Sequence, residues 1–178
     1  MGIYENNRLV KAVQEKAVAE VIRLLGLVAP SDVTLEHDNT LLHLICRICR
    51  PAQKDYENGR PIIELLIKQG LDVNSVNDDG QTPLHIAAYY GCGIGVELLV
   101  ENGADINAKD KWGKTPLHNA AYKHDYEIAS FLVSGGADVN ATNNDGETPS
   151  DTISNYNHRM ARDLKDKMKK LLTEDDDS

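Results

Sequence analysis

The chain has 178 residues and a formal net charge of −9, with 19 Lys and Arg against 28 Asp and Glu. A chain of this length is one domain or one short array of repeats. Its acidity argues against nucleic acids and anionic membranes as main partners, because both require a positive protein surface. We therefore expect no nucleic-acid partner and no membrane partner.

The cysteines and the amino-terminal sequence bear on where the protein is found. Three cysteines, an odd number spread along the chain, do not make a disulfide framework. The first residues contain no basic segment followed by an apolar run, so they predict no signal peptide. No apolar stretch approaches the roughly 18 residues of a membrane helix. We expect a cytoplasmic or nuclear protein that is not secreted.

A repeat of 33 residues dominates the centre of the sequence. Gly80, Gly113 and Gly146 are spaced 33 residues apart, and each is followed two residues later by a Thr-Pro pair. Residues 80–112 and 113–145 are identical at 15 of 33 positions. The shared motifs are Thr-Pro-Leu-His-x-Ala-Ala and Gly-Ala-Asp-x-Asn-Ala. A fixed period of this length indicates stacked units that share one core.

With this period and these motifs, the sequence resembles the ankyrin-repeat family. Upstream, residues 40–43 read Thr-Leu-Leu-His, and residues 70–74 read Gly-Leu-Asp-Val-Asn. The resemblance implies an all-α fold, an ankyrin-repeat solenoid in which each unit is a helix, a turn, a second helix and a hairpin loop. We expect about five repeats, of which the first and last are degenerate caps.

In chain order, we predict a single array over residues 1–172. Its units fall at about 5–36, 37–76, 77–109, 110–142 and 143–172. The Thr-x-Leu-His motif of the second unit lies 42 residues before its counterpart, and the hairpin motif lies 33 before, which predicts an insertion near 50–58. The last unit is predicted to have a second helix with an apolar stripe of Met160, Leu164, Met168 and Leu171. Residues 173–178 form an acidic tail.

Several recurring residues are predicted to be structural. Thr82 and Thr115 are placed to cap helices, with proline at the first helical position. Gly103 and Gly136 suit a left-handed turn after the second helix. The interface between units is predicted to be filled by Leu84, Leu98, Leu99, Leu117, Phe131 and Leu132. The resemblance implies that the recurring histidines, His43, His85 and His118, make a hydrogen bond that ties neighbouring loops.

One arrangement could carry metal or thiol chemistry. His43, Cys46 and Cys49 follow one another at intervals of three, and Cys92 lies in the next unit; zinc binds such side chains. However, Cys46 stands where the second alanine of the motif stands, and Cys49 falls at the turn glycine. We therefore expect small buried thiols, no catalytic residue, no metal and no cofactor. A metal- or thiol-dependent enzyme remains the alternative from another class.

The residues free to differ between units are the candidates for partner binding. In an ankyrin array the hairpin tips and first helices line one concave face. On that face we predict a partner-binding set of Asp78, Asp79, Gln81, Tyr89, Tyr90, Lys111, Trp112, Lys114, Tyr122 and Lys123. In the last unit Asn144, Asp145, Glu147, Asn155 and Tyr156 have similar positions. Tyrosine and tryptophan are enriched at interface hot spots, and the lysines suit a peptide segment that carries a carboxylate.

The sequence thus predicts a non-catalytic module that binds another protein on its concave face and is monomeric on its own. Two alternatives within this class are an inhibitory or regulatory subunit of a kinase or a transcription factor, and a host-directed effector. The resemblance also implies a modification, β-hydroxylation of the hairpin asparagines Asn107 and Asn140.

Overall fold

The computed structural model describes residues 2–27, 29–33, 35–49, 58–153, 166–167 and 170–172. These residues contain eight α-helices. They are α1 (Gly2–Gln14), α2 (Val18–Leu25), α3 (Leu41–Ile48), α4 (Gly59–Lys68), α5 (Pro83–Tyr90), α6 (Gly93–Glu101), α7 (Pro116–Lys123) and α8 (Tyr126–Ser134). Apart from Asn58, the predicted insertion lies outside the described residues, as do the acidic tail, Asn155 and Tyr156.

The helices form consecutive pairs that stack in two rows. Within a pair, α1 packs on α2, α3 on α4, α5 on α6 and α7 on α8. The first helices pack in the order α1, α3, α5 and α7, and the second helices in the order α2, α4, α6 and α8. The all-α solenoid is therefore confirmed. The division into five units stays a prediction, and we use its numbering as labels for the pairs.

The Thr-Pro-x-His segments begin the first helices as predicted. In the third unit the Thr82 hydroxyl accepts a hydrogen bond from the His85 backbone N–H, and His85 Nδ1 accepts one from the Thr82 N–H at 3.2 Å. The same reciprocal cap forms at Thr40 and Thr115. The helix therefore begins with donors satisfied, and the proline next to the cap loses no helical hydrogen bond.

The other ring nitrogen of each histidine reaches the next unit. Nε2 of His43 lies 2.9 Å from the Gln81 carbonyl oxygen, and Nε2 of His85 lies 2.9 Å from that of Lys114. In the fourth unit, His118 repeats this contact with the Glu147 carbonyl at 3.0 Å. Because a carbonyl can only accept, Nε2 must carry the proton, which leaves Nδ1 as the acceptor at the cap. The predicted tie between neighbouring loops is confirmed.

The hairpin tips are joined by backbone hydrogen bonds as well. One bond links each tip to the next, and the three run from Asp78 N to His37 O (3.1 Å), from Lys111 N to Asp79 O (3.0 Å) and from Asn144 N to Trp112 O (2.9 Å). Deeper in the loops, the Asn74 side chain accepts from the Asp105 N–H, and the Asn107 side chain accepts from the Asp138 N–H. Adjacent loops are therefore held at several levels.

The predicted interface leucines are buried, but Phe131 is not. Leu84, Leu99, Leu117 and Leu132 are completely inaccessible to solvent, whereas Phe131 is 38% exposed. The prediction that Phe131 fills the interface is therefore wrong. Leu98, which stands at the same repeat position in the preceding unit, is only 4% exposed. Leu171 of the predicted last stripe packs against the core; the other three members lie outside the described residues.

The turn between the two helices differs in the second unit. Gly91 and His124 occupy this turn in the third and fourth units with positive φ angles of 77° and 58°. Cys49 has the same position in the sequence register, but its φ is −87°. Cys49 therefore ends its helix, as the register predicts, but does not adopt the left-handed conformation of the other two residues. The next helix, α4, begins at Gly59.

We predict that stability falls as the pH drops below about 6.5. Burial lowers the pKa of His43, His85 and His118 below the ordinary value. The unfolded chain therefore takes up these protons at a pH where the folded chain does not, so acidification favours unfolding. Urea denaturation followed by circular dichroism between pH 8 and pH 5 should show a falling midpoint. A midpoint independent of pH would contradict the prediction.

Candidate functional site

The predicted partner-binding residues lie on two kinds of element. Residues 78–81 and 111–114 form hairpin tips, whereas residues 89–90 and 122–123 end the first helices α5 and α7. The backbone bonds between tips and the packing of α5 on α7 hold these elements side by side. The candidate surface is therefore built from two consecutive units whose relative position is fixed.

Three tyrosines form one cluster at the ends of the first helices. The rings of Tyr89 and Tyr122 stack with 6.2 Å between centroids and 11° between planes. Tyr90 meets Tyr89 edge to face at 5.1 Å. The Lys123 ammonium lies 4.9 Å from the centre of the Tyr89 ring, within the range of a cation–π contact. We call Tyr89, Tyr90, Tyr122 and Lys123 the tyrosine cluster.

Trp112 belongs to a second cluster at the hairpin tips. Its side chain is 44% exposed, and the Lys111 ammonium lies 4.4 Å from the centre of the ring. Lys111 also forms an ion pair with Asp79 of the preceding tip. We call Asp79, Lys111 and Trp112 the tip cluster. In the part of the chain that the structure describes, no ring contact joins Trp112 to the tyrosines, so the aromatic residues form two groups.

The backbone carbonyls of several of these residues have a structural task that does not depend on the side chain. The carbonyls of Gln81 and Lys114 accept the histidine bonds from the preceding units. The Trp112 carbonyl accepts the bond from Asn144. None of these contacts depends on which side chain the residue carries. The array can therefore vary these positions freely without losing its architecture.

A cavity of about 250 Å³ lies beside the tyrosine cluster. It is lined by Tyr89, Lys114, His118, Asn119, Tyr122 and Thr152. Sequence reasoning placed three of these in the candidate set and missed the contribution of Asn119 and Thr152. The sequence contains a pattern that indicates Asn119, because this polar residue lies 33 positions after the apolar Ile86. A polar residue at a position that is apolar in the preceding unit marks this cavity.

A larger groove of about 540 Å³ runs along the first three units. Its lining includes Asp79, Gln81 and Tyr90, which were predicted. Sequence reasoning missed a group at and after the start of the second unit, which is Glu36, His37, Asn39, Leu44 and Arg47, and a group from α1, which is Asn7, Val10 and Gln14. The offset of 42 residues would have found the first group, because Glu36, Asn39 and Arg47 correspond to Asp78, Gln81 and Tyr89.

The three thiols are buried away from both cavities. Cys46, Cys49 and Cys92 have no accessible surface. A hydrogen bond with the Cys46 thiol raises the pKa of Cys92, and burial adds to the effect. A thiol with a raised pKa is a weak nucleophile and a weak metal ligand, because both roles need the thiolate. Within the described residues, no group of three or more His, Cys, Asp or Glu side chains is placed to hold a metal ion.

The thiol packing also explains why a glycine lies inside α6. A Cβ atom at Gly95 would lie 2.8 Å from Cys92 Sγ and 3.3 Å from Cys46 Sγ. A side chain at this position would overlap the thiols, so glycine allows α6 to approach them closely. The cysteines and this glycine therefore belong to the packing between the second and third units.

A comparison with known protein families agrees with this architecture. The family model described as "Ankyrin repeats (3 copies)" matches residues 9–110, 52–143 and 96–173. This chain belongs to the ankyrin-repeat family. Ankyrin repeats typically mediate protein–protein interactions, and the family is usually non-catalytic.

The described helices were also compared with the length and hydropathy of a membrane span. None of them is both long enough and apolar enough to cross a bilayer.

We predict that the three thiols of the folded ankyrin-repeat protein resist the aromatic disulfide reagent DTNB at neutral pH. Their burial blocks access, and the raised pKa of Cys92 keeps that thiol protonated. The absorbance of the released thiolate should develop only after denaturant is added. Rapid reaction of one thiol in the folded protein would contradict this result and would favour the thiol-dependent enzyme. The fully denatured protein, with all three thiols reactive, is the control.

Proposed function

We propose that this ankyrin-repeat protein is a non-catalytic module that binds another protein across the tyrosine cluster and the tip cluster. The observation that carries the proposal is that the backbone and the side chains of these residues have different roles. Their backbone groups join one unit to the next, while Trp112 and Tyr122 remain about half exposed, at 44% and 49%. Large aromatic side chains that the fold does not need for its core are available to a partner.

The contacts among these side chains favour tight binding. Tyr122 is held by its stacking on Tyr89, and Lys111 is held between Asp79 and Trp112. Side chains that are already ordered lose less conformational entropy when a partner arrives. For the same contacts, a surface of this kind therefore binds a partner more tightly than a flexible loop does, because less conformational entropy is lost.

We also propose that the hairpin asparagines Asn107 and Asn140 are sites of β-hydroxylation, as the family resemblance suggests. The two differ in how firmly they are held. The Asn107 side chain accepts a hydrogen bond from the Asp138 N–H at 2.8 Å and donates one to the Gly136 carbonyl at 3.2 Å. Within the described residues, no hydrogen bond joins the Asn140 side chain to another unit. A modifying enzyme has to free the Asn107 side chain from both bonds before it reaches the Cβ atom, whereas the described residues show no such bond at Asn140.

We predict that the protein produced in eukaryotic cells gains the mass of one oxygen atom, mainly at Asn140. Intact-mass measurement followed by peptide mapping checks both the mass and its position. The Asn140→Gln variant should lose most of the added mass, whereas Asn107→Gln should lose little. Unmodified protein from a eukaryotic host would contradict the proposal.

We predict that the double variant Trp112→Ala/Tyr122→Ala loses most of its partner binding while it stays folded. Truncation of hot-spot aromatics costs ~2 kcal/mol or more each, which is a large loss of affinity. The test is an affinity capture by wild type and variant from lysate of cells that make the protein, followed by measurement of the affinity for the captured partner. Circular dichroism should show both proteins equally helical.

The matched control removes two exposed apolar side chains elsewhere. Ile22 on α2 and Leu27 after it are 57% and 62% exposed, and neither lines the concave surface. The variant Ile22→Ala/Leu27→Ala should bind the partner as the wild type does. If this control loses binding while Trp112→Ala/Tyr122→Ala retains it, the partner binds another face and the proposed surface is wrong.

A further inference from the structure

The cavity beside the tyrosine cluster has a chemical character of its own. It lies where α5, α7 and the start of the fifth unit meet, and its walls are Tyr89, Lys114, His118, Asn119, Tyr122 and Thr152. The residues come from three consecutive units, and inter-unit bonds from His85 and His118 fix the loops on either side. The cavity is therefore a preformed pocket of about 250 Å³ rather than a gap between mobile loops.

The pocket carries positive charge without a matching carboxylate. Among the described residues, no ion pair involves the Lys114 ammonium, and Lys123 contacts the Tyr89 ring rather than an acidic side chain. Burial lowers the pKa of His118, and the charges of Lys109 and Lys114 lower it further, whereas the Glu147 carbonyl and the charge of Asp110 act in the opposite direction. In a chain of net charge −9, this local excess of cations is unusual.

The pocket also offers uncommitted hydrogen-bond donors. In the described part of the chain, no hydrogen bond is made by the phenol hydroxyls of Tyr89 and Tyr122. The Lys114 side chain is likewise uncommitted, although its carbonyl is fixed by His85. An ammonium and two hydroxyls around one cavity can together surround an anion.

We propose that this pocket binds the side-chain carboxylate of a glutamate or aspartate in an acidic peptide segment of the partner. The inference rests on the proposed function and specifies the partner chemistry. The carboxylate accepts hydrogen bonds from Lys114 and from the tyrosine hydroxyls, while the methylene groups beside it pack on the tyrosine rings. Lys123 adds attraction at the same rim.

Two observations select this ligand over others. The larger groove is lined by both signs of charge, with Arg47 beside Glu36 and Asp79, whereas the lining of the small pocket contains Lys114 and no carboxylate. A phosphate group is bound best by the planar fork of arginine, and the pocket contains no arginine. One lysine ammonium with two phenol hydroxyls matches the single negative charge of a carboxylate better than the larger negative charge of a phosphate group.

The test begins with a library of random twelve-residue peptides displayed on phage and selected on the immobilised protein. Selected peptides are synthesised in three forms, with the acidic residue intact, with Glu→Gln or Asp→Asn, and with phosphoserine at that position. Fluorescence anisotropy gives the Kd of each form for the wild type, Lys114→Gln, Tyr122→Phe and Lys11→Gln. Lys11 is an exposed lysine on α1, so its variant is the control for a general loss of charge.

We expect acidic peptides to be enriched, with neutralisation of the acidic residue weakening binding to wild type about tenfold, the size of a charge-assisted hydrogen bond. On Lys114→Gln the acidic and neutral peptides should bind equally, because the group that distinguishes them is gone. Tyr122→Phe, which keeps the stacked ring, should weaken binding of the acidic peptide a few-fold. Lys11→Gln should behave as the wild type.

The inference is overturned if the enriched peptides are neutral or basic, or if no peptide is enriched. It is also overturned if Lys114→Gln weakens acidic and neutral peptides equally, or if the phosphoserine form binds better than the acidic form. None of these results removes the proposed function, which the affinity capture tests and which includes Trp112, a residue outside the lining of the pocket. A partner that needs those aromatics but no carboxylate would leave the binding face in place and reject the pocket.

Discussion

The bond from a histidine Nε2 to a carbonyl of the next unit is the interaction on which this array depends. It needs a neutral ring, because Nδ1 must accept at the helix cap while Nε2 donates across the interface. The series runs through His43, His85 and His118 and ends in the fifth unit. There, Asp151 accepts from the Thr148 N–H at 2.9 Å. A carboxylate can accept this bond as the histidine Nδ1 does, but it has no proton to donate to a carbonyl of another unit.

This arrangement separates architecture from recognition at the level of single residues. The hydrogen bonds that tie Gln81, Trp112 and Lys114 to neighbouring units use the carbonyls of these residues. If the side chains that bind a partner also joined the units to one another, a change of a binding residue would lower the stability of the array. Here the interface is kept by histidine, threonine and glycine at fixed positions, so lysine, tryptophan and tyrosine can be chosen for a partner alone. Repeat proteins combine rigid cores with diverse surfaces for this reason.

The sequence predicted the features that a local motif determines. The helix caps, the histidine bonds and the left-handed Gly103 and Gly136 each depend on a few residues at a constant spacing, and all were confirmed. The failures concern context beyond the motif. Phe131 has the same register as the buried Leu98, but its exposure depends on whether a later helix of the array covers it. Stacking of Tyr89 on Tyr122 depends on the angle between units, which no short pattern records. The groove residues of the second unit were missed because the insertion shifts their register.

The overall charge and the local charge of this protein act over different distances. A net charge of −9 repels an acidic partner at long range, but at physiological salt this repulsion is screened beyond about 8 Å. Within that distance the partner meets Lys114 and Lys123 rather than the average of the whole surface. Repulsion therefore slows the approach of an acidic segment at low salt, while contacts in the pocket hold it after arrival. An acidic chain can therefore bind an acidic segment. The net charge of the chain changes the rate of association, whereas the contacts in the pocket set the rate of dissociation.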